Sequence, residues 1–298
     1  MPGAQKHLAV LPHKAGRKTH MESATIEILG QVRQSAPLVH NITNFVVMNA
    51  SANILLAVGA SPVMAHSADE VGEMAAMAGA LVLNIGTLDQ CWLEAMICAG
   101  RAANEKGIPV VLDPVGAGAT QFRTHAVEKI MSACRVSLVR GNVSEVLSLA
   151  SADVRTRGVE SSLGFSDAAA ADLKALAYSK NCIMAVSGKE DCITDGYRVF
   201  RVANGHGLMT RVTGMGCGLS AVTAAFCAVA PDRLLEASVA AFAFYGRCGE
   251  LAAAAFDRPG SFYTAFLDCL YSAGEAEITR GLKITEAAGV FPGAGGND

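Results

Sequence analysis

The chain has 298 residues, of which 51% are hydrophobic and 17% charged, with a formal net charge of −3. A chain of this length buries a substantial core, and so few charges mean that many elements are covered on both faces, as in a layered α/β protein or an oligomer. The near-neutral balance supplies no basic field for DNA or RNA, so no nucleic-acid partner is expected.

Residues 1–20 carry Lys6, Lys14, Arg17, Lys18 and three histidines without an apolar stretch, and read as a flexible N-terminal extension or processing remnant. Residues 21–298 read as one domain, because no linker interrupts the alternation that follows. The pattern predicts a strand over 61–65, a helix over 69–78, a strand over 80–85 and a helix over 90–106. A buried strand over 109–112 ends at Asp113, and a helix over 124–133, a strand over 136–139 and a helix over 144–150 follow. Next come a helix over 166–179, a strand over 182–186 and a strand pair within 192–202 around Thr194-Asp195-Gly196. Beyond Cys217 the chain reads mostly as helix. Alternating strands and helices predict an α/β fold with a mostly parallel sheet covered by helices on both faces. The apolar runs 45–60, 74–83 and 217–230 are interrupted or too short to span a bilayer, so no membrane partner is expected. Nine cysteines at irregular spacings without a CxxC pair suggest neither a zinc site nor a disulfide framework, and point to a reducing, cytoplasmic compartment.

In parallel sheets, ligands bind beyond the carboxyl ends of the strands. The polar residues closing the apolar strands are Asn84, Asp113, Arg140 with Asn142, and Ser187. To this rim the sequence adds Thr213-Gly214-Met215-Gly216-Cys217-Gly218, running straight into an alanine-rich apolar helix. Glycines let backbone N–H groups face a ligand, and the helix start adds about half a positive charge, so Gly214, Met215, Gly216 and Cys217 form a candidate anion hole. Cys217 stands where a nucleophile or base would meet a bound phosphate; a buried, inert cysteine in a glycine-rich connection fits these residues equally well. Neither glycine cluster is a dinucleotide fingerprint, since Leu219 and Gln121 occupy the required third-glycine positions. Gly188-Lys189 is followed by Glu190 and lacks the earlier glycine, so it is no Walker loop.

Asn142 and Glu145, three apart at a predicted helix start, suit a cap and a dipole partner. With Asp113, Glu145 could also hold Mg²⁺ directly or through waters, the nucleotide phosphates supplying further ligands. Arg140 is placed to fork onto phosphate oxygens.

These residues, with 37–44 (PLVHNITN), 59–64 (GASPVM), 83–87 (LNIGT) and 113–119 (DPVGAGA), resemble hydroxyethylthiazole kinases, thiamine-salvage members of the ribokinase-like fold. The resemblance runs over residues 35–272 in one order. It implies ATP-dependent phosphorylation of the primary hydroxyl of 4-methyl-5-(2-hydroxyethyl)thiazole, with ATP as co-substrate and Mg²⁺ as cofactor. It also implies that Met64 and Gly214 lie by the thiazole alcohol, with Asn44 a further pocket candidate, and that Arg140 and Ser187 contact ATP. Asp113 and Glu145 would serve the metal. Cys217 would stand where most ribokinase-like enzymes have a catalytic aspartate. A homotrimer with shared active sites is implied in the same way. Met215 and Lys189 depart from residues common in relatives, which bears on fine substrate or nucleotide preference.

Three other functions remain open on sequence. Another small-alcohol kinase would differ in substrate profile, a cysteine hydrolase or acyl transferase would need His40, His66, His125 or His206 beside Cys217, and a nucleotide sensor would not need Cys217. The helix N-terminus is expected to depress the Cys217 pKa from about 8.5, with a bound phosphate opposing it. Phosphoryl transfer through a loose transition state needs only a mediocre base.

Overall fold

Strands that are apolar on both faces cannot lie against water, and the inner strands here alternate between two separate cores. The computed structural model describes residues 19–150 and 167–287. Its first half runs α1 (His20–Ser35), β1 (Leu38–Ile42), α2 (Met48–Val58), β2 (Ser61–Val63), α3 (Val71–Met77), β3 (Ala80–Asn84), α4 (Gln90–Lys106), β4 (Val110–Asp113), α5 (Gln121–Ala133), β5 (Leu138–Asn142) and α6 (Val143–Leu147). The second half runs α7 (Asp167–Lys180), β6 (Ile183–Ser187), β7 (Asp191–Thr194), β8 (Val199–Val202), a 3₁₀ turn (Gly207–Arg211), α8 (Met215–Val229), α9 (Leu234–Ala255), α10 (Pro259–Ser272), α11 (Glu275–Thr279) and β9 (Ile284–Glu286).

The strands form one sheet in the order β2-β1-β3-β4-β5-β6-β7-β8-β9, parallel through β6 and antiparallel from β7 onward. Ala80, Val82, Val111, Leu138 and Ala185 face the core built by α1, α8, α9 and α10. Their strand neighbours Leu81, Leu83, Val110, Leu112, Val139, Met184 and Val186 face the core built by α3, α4, α5 and α7. The first core includes Tyr245, Phe226, Phe244, Phe262 and Phe266, all fully buried, each side chain contributing about 1.5–3 kcal/mol of transfer free energy.

Helix α4 has the expected bounds because both ends carry their own signals. Asp89 accepts the Trp92 N–H, and Gly107 closes the helix in the left-handed region. Helix α5 starts three residues before the expected 124, where the Thr120 hydroxyl accepts the Arg123 N–H. Strand β5 extends past Val139, because Arg140, Gly141 and Asn142 pair with Ala185, Val186 and Ser187. Helix α7 is the one expected over 166–179; residue 166 itself lies outside the described residues.

The N-terminal extension expected over 1–20 falls outside the described residues up to residue 18. Thr19 and His20 are instead the cap and first residue of α1, where Thr19 and Glu22 form a reciprocal capping box. The expectation of mostly helix beyond Cys217 holds through α8–α11, but β9 then adds an antiparallel edge to β8.

The register aligns the polar strand ends. Asn84 pairs with Asp113 across β3 and β4, and Asn142 with Ser187 across β5 and β6. Ser220 of α8 reaches Asp113, which puts the first turns of α8 at the same end of the sheet.

Candidate active site

The site grows from the carboxyl ends of β1, β3, β4, β5 and β6 and from the start of α8. Asp113, 1% exposed, is its centre. Asp113 Oδ2 accepts from Asn84 Nδ2 at 2.9 Å and from Ser220 Oγ at 2.7 Å, and lies 3.8 Å from Arg140 Nη1. Burial raises its pKa to about 6, against the opposing Arg140 charge and the Ser220 and Asn84 hydrogen bonds; the nearby Glu145 carboxylate raises it further. Desolvation therefore outweighs its cationic neighbour.

Asn84 Oδ1 in turn accepts from Asn44 Nδ2 at 2.9 Å, and the same Asn44 amide donates to Cys217 Sγ at 3.5 Å. On the other side Arg140 Nη2 donates to Ser187 Oγ at 2.6 Å. Arg140 is buried, and its Nε has no hydrogen-bond partner, which an incoming anionic oxygen would satisfy. The expected residues Asn44, Asp113, Arg140, Ser187 and Cys217 thus form one continuous polar chain from β1 to β6.

Two glycines shape the loop that opens α8. Gly214 caps α8 at φ +86°, in the left-handed region. A Cβ at Gly216 would stand 2.8 Å from Arg140 Nη1, so only glycine lets the guanidinium lie against the first turn of α8. Met215 is buried, and its carbonyl accepts the Tyr245 hydroxyl at 2.8 Å, anchoring that turn.

Cys217 departs from the electrostatic expectation. Its thiol is pushed up to about 11, by burial first and the Asp113 charge second, against the Asn84, Arg140 and Asn44 contacts. The helix N-terminus does not win, and the group is a neutral thiol near pH 7. No histidine pairs with it among the described residues. His40 bonds the Ala65 carbonyl, His66 contacts Met64 and Trp92, His206 caps the 3₁₀ turn and His125 lies on α5.

Glu145 is both cap and wall. Its Oε2 accepts the Asn142 N–H at 2.8 Å within a capping box, while Oε1 accepts the Gly116 N–H at 2.9 Å. With both oxygens engaged, it presents hard donors without a bare bidentate face. Among the described residues no group of three histidines, cysteines or carboxylates could hold a metal on its own. Two carboxylates with partly committed oxygens suit Mg²⁺, which keeps waters and takes phosphate oxygens as ligands.

Met64 sits apart from the polar chain, partly exposed just past edge strand β2, with its carbonyl 3.3 Å from the His66 ring. Sequence reasoning does not find Ser220 or Arg123. A fully buried serine in an otherwise apolar helix, three residues after Cys217, was the available signal for the former.

A profile of the hydroxyethylthiazole kinase family matches residues 29–275. The hydroxyethylthiazole kinase of Desulfotalea psychrophila is 51% identical over 262 residues, 88% of this chain and 95% of that one. That of Desulfosudis oleivorans is 52% identical over 264 residues, 88% and 96% of the two chains. Among solved structures, hydroxyethylthiazole kinase protein from Pyrococcus horikoshii superposes with a TM-score of 0.82 at 44% identity, covering 89% of this chain and all of that one. Pyridoxal kinase from Staphylococcus aureus in complex with ADP, at 16% identity and a TM-score of 0.52, covers 72% of this chain and 88% of its own, and shares the fold.

Proposed function

The chain belongs to the hydroxyethylthiazole kinase family and phosphorylates the hydroxyl of the thiazole alcohol in thiamine salvage, with ATP as co-substrate, and on that premise we propose how its residues divide the work. The observation that carries the proposal is the unbroken chain from Asn44 and Cys217 through Asn84 and Asp113 to Arg140 and Ser187.

The nucleotide phosphates lie against Arg140, Ser187 and the amides of Gly214, Met215, Gly216 and Cys217. Arg140 offers its unpartnered Nε, and the α8 N-terminus adds fixed positive ends, so charge moving onto the leaving oxygen is met by donors already in place. The thiazole alcohol lies on the other side, between Asn44, Gly214 and Met64. Asn44 orients Cys217, whose neutral thiol sulfur accepts a hydrogen bond from the substrate hydroxyl and helps to hold it in line; the hydroxyl proton leaves late and passes to an oxygen of the transferred phosphoryl group. The raised pKa of Cys217 keeps its own proton in place, so the thiol positions the hydroxyl rather than deprotonating it.

Asp113 and Glu145 would hold Mg²⁺, mainly through waters given their existing hydrogen bonds. When bound, that ion would neutralise phosphate charge and fix the phosphate orientation.

The thiazole pocket is completed by a neighbouring subunit in a homotrimer. Phe45 (61% exposed), Val46, Leu56 and Met77 are large apolar side chains left open on segments that precede or follow edge strand β2 and Met64. The enzyme works in the cytoplasm: its nine cysteines are all unpaired, and among the described residues no single helix is long and apolar enough to cross a membrane.

ADP release measured with ATP, with and without the thiazole alcohol and with and without Mg²⁺, tests the reading. Release that depends on both is expected; release that ignores either one contradicts the corresponding assignment. Loss of turnover on dilution, restored by mixing a Met64 variant with a Cys217 variant, tests the shared pocket, which a fully active monomer in sedimentation would exclude.

A further inference from the structure

Arg123, in the first turn of α5, spends its guanidinium on backbone carbonyls. Nη1 donates to Ile85 O at 3.0 Å and also to Val115 O, while Nη2 donates to Gly86 O at 2.7 Å. No carboxylate lies within ion-pair distance of it among the described residues. The three acceptors belong to two different loops, the one after β3 and the one after β4. Gly116, at φ +72°, leaves just enough room for this, since a Cβ there would stand 3.2 Å from Arg123 Cδ and Nη1.

Both loops continue into the site. Thr87, next to Gly86, accepts the Phe45 N–H at 3.1 Å, and Phe45 follows Asn44. Gly116, next to Val115, donates to Glu145 at 2.9 Å. The acceptor-alcohol side of the site and its phosphate side are therefore joined around the rim by one path: Phe45 to Thr87, Gly86 to Arg123, Arg123 to Val115, and Gly116 to Glu145. Arg123 is the side-chain link between the two loops on this outer path, which runs beside the central Asn44–Asn84–Asp113–Arg140 chain. A planar fork with several fixed donors can bridge two loops in this way; a lysine ammonium, a point charge on a flexible stem, cannot hold the same three carbonyls in one plane.

We propose that Arg123 is a positioning residue for phosphoryl transfer, setting the separation between the loop that carries the acceptor side and the loop that carries Glu145. The proposal rests on the division of the site given above. Its consequence is specific. Each substrate binds mainly on its own side, so loosening the clamp leaves each separate affinity intact. In-line alignment of the two is what suffers, and misplacement by about 1 Å costs on the order of 100-fold.

The test uses the protein with Arg123→Met, Arg123→Lys and, as a surface control, Arg233→Met, which removes the pairs with Glu27 and Glu236. Calorimetry with a non-hydrolysable ATP analogue, and separately with the thiazole alcohol, gives affinity and the fraction of competent sites. Steady-state kinetics gives kcat per competent site. Expected for both Arg123 variants is a kcat lower by about 10- to 100-fold with each separate Kd within about threefold, and no change for Arg233→Met. If Arg123→Met does not fold, Arg123→Lys decides, since it keeps the stem and the charge. A kcat per competent site within twofold of the parent, or turnover lost only in proportion to competent sites, would assign Arg123 a purely structural role and overturn the proposal. The parent protein assayed in parallel reports separately on the kinase site itself.

Discussion

Gly216→Ala separates function from stability in a way that the geometry makes quantitative. The new methyl would stand 2.8 Å from Arg140 Nη1 and 3.3 Å from Nη2, against about 3.5–4.0 Å for relaxed contacts. Position 216 has ordinary helical geometry within α8, so the backbone accepts alanine and gains up to about 1 kcal/mol of helix propensity. The atom in the way is the far end of a flexible side chain, so the fold yields cheaply by letting the guanidinium retreat by about 0.5–1 Å. That retreat disturbs the 2.6 Å bond to Ser187 and the approach to Asp113. Loss of a hydrogen bond to a charged group is worth about 1.5–3 kcal/mol, which corresponds to roughly 10- to 100-fold in rate or affinity. Part of that loss also falls on the free fold and is only partly offset by helix propensity, so the expected result is a protein that still folds, with a melting temperature at or a few degrees below the parent, and kcat/KM for ATP down by that factor. Paired thermal melts and initial-rate kinetics measure both. A variant with parental kcat/KM would refute the placement of Arg140 against the α8 turn; one that unfolds would refute the claim that the crowding is cheap.

Cys217→Ala should lower kcat by about 10²- to 10⁴-fold, while Cys217→Asp retains substantial activity; a folded Asp variant that binds both substrates but does not turn over counts against a role for this position in holding the substrate hydroxyl. Glu145→Gln should raise the Mg²⁺ concentration for half-maximal rate, and should also cost about 1 kcal/mol, because one amide oxygen cannot replace two carboxylate oxygens on Gly116 and Asn142. An unchanged magnesium titration beside a lowered melting point would leave Glu145 as a cap only. The thiol prediction concerns pH. Burial raises the folded Cys217 pKa to about 11, above the unfolded value of about 8.5, so its native thiolate population grows only as pH climbs toward 11. Alkylation at Cys217, followed by peptide mass spectrometry, should therefore be slow at pH 8 in native protein and fast in urea; equal rates would contradict a buried neutral thiol. By linkage the same shift favours the fold below about pH 8.5 and that contribution is lost between there and pH 11, since the unfolded chain gives up the proton first.

What the sequence reveals of this protein divides by the range of the interaction. Helix α4 is legible to the residue because Asp89 and Gly107 are local signals, and β3 and β4 to within one residue at each end because their apolar runs end at Asn84 and Asp113. The strand-end rule also finds Arg140 and Ser187, since a parallel sheet gathers its carboxyl ends whatever else the chain does. Strand β5 is read too short because Arg140 and Asn142 look like loop residues; only pairing with β6 makes them strand, and only the site makes a buried arginine tolerable. The α1 start was readable in Thr19 and Glu22 but stands beside a basic tail that obscures it. Ser220 and Arg123 are harder. Their partners lie on other elements, and which face of α8 or α5 they occupy depends on how those helices settle on the sheet. Cys217 gives the clearest case of the division. The helix start beside it is a local feature and predicts a lowered pKa; burial and the Asp113 carboxylate are tertiary, and they raise it to about 11. A macrodipole contributes about 0.3–1 kcal/mol near an exposed helix end, whereas moving a thiol from about 8.5 to about 11 corresponds to about 3 kcal/mol. The tertiary effect is larger, so the role assigned to this cysteine is a neutral thiol that positions the substrate hydroxyl rather than a thiolate base.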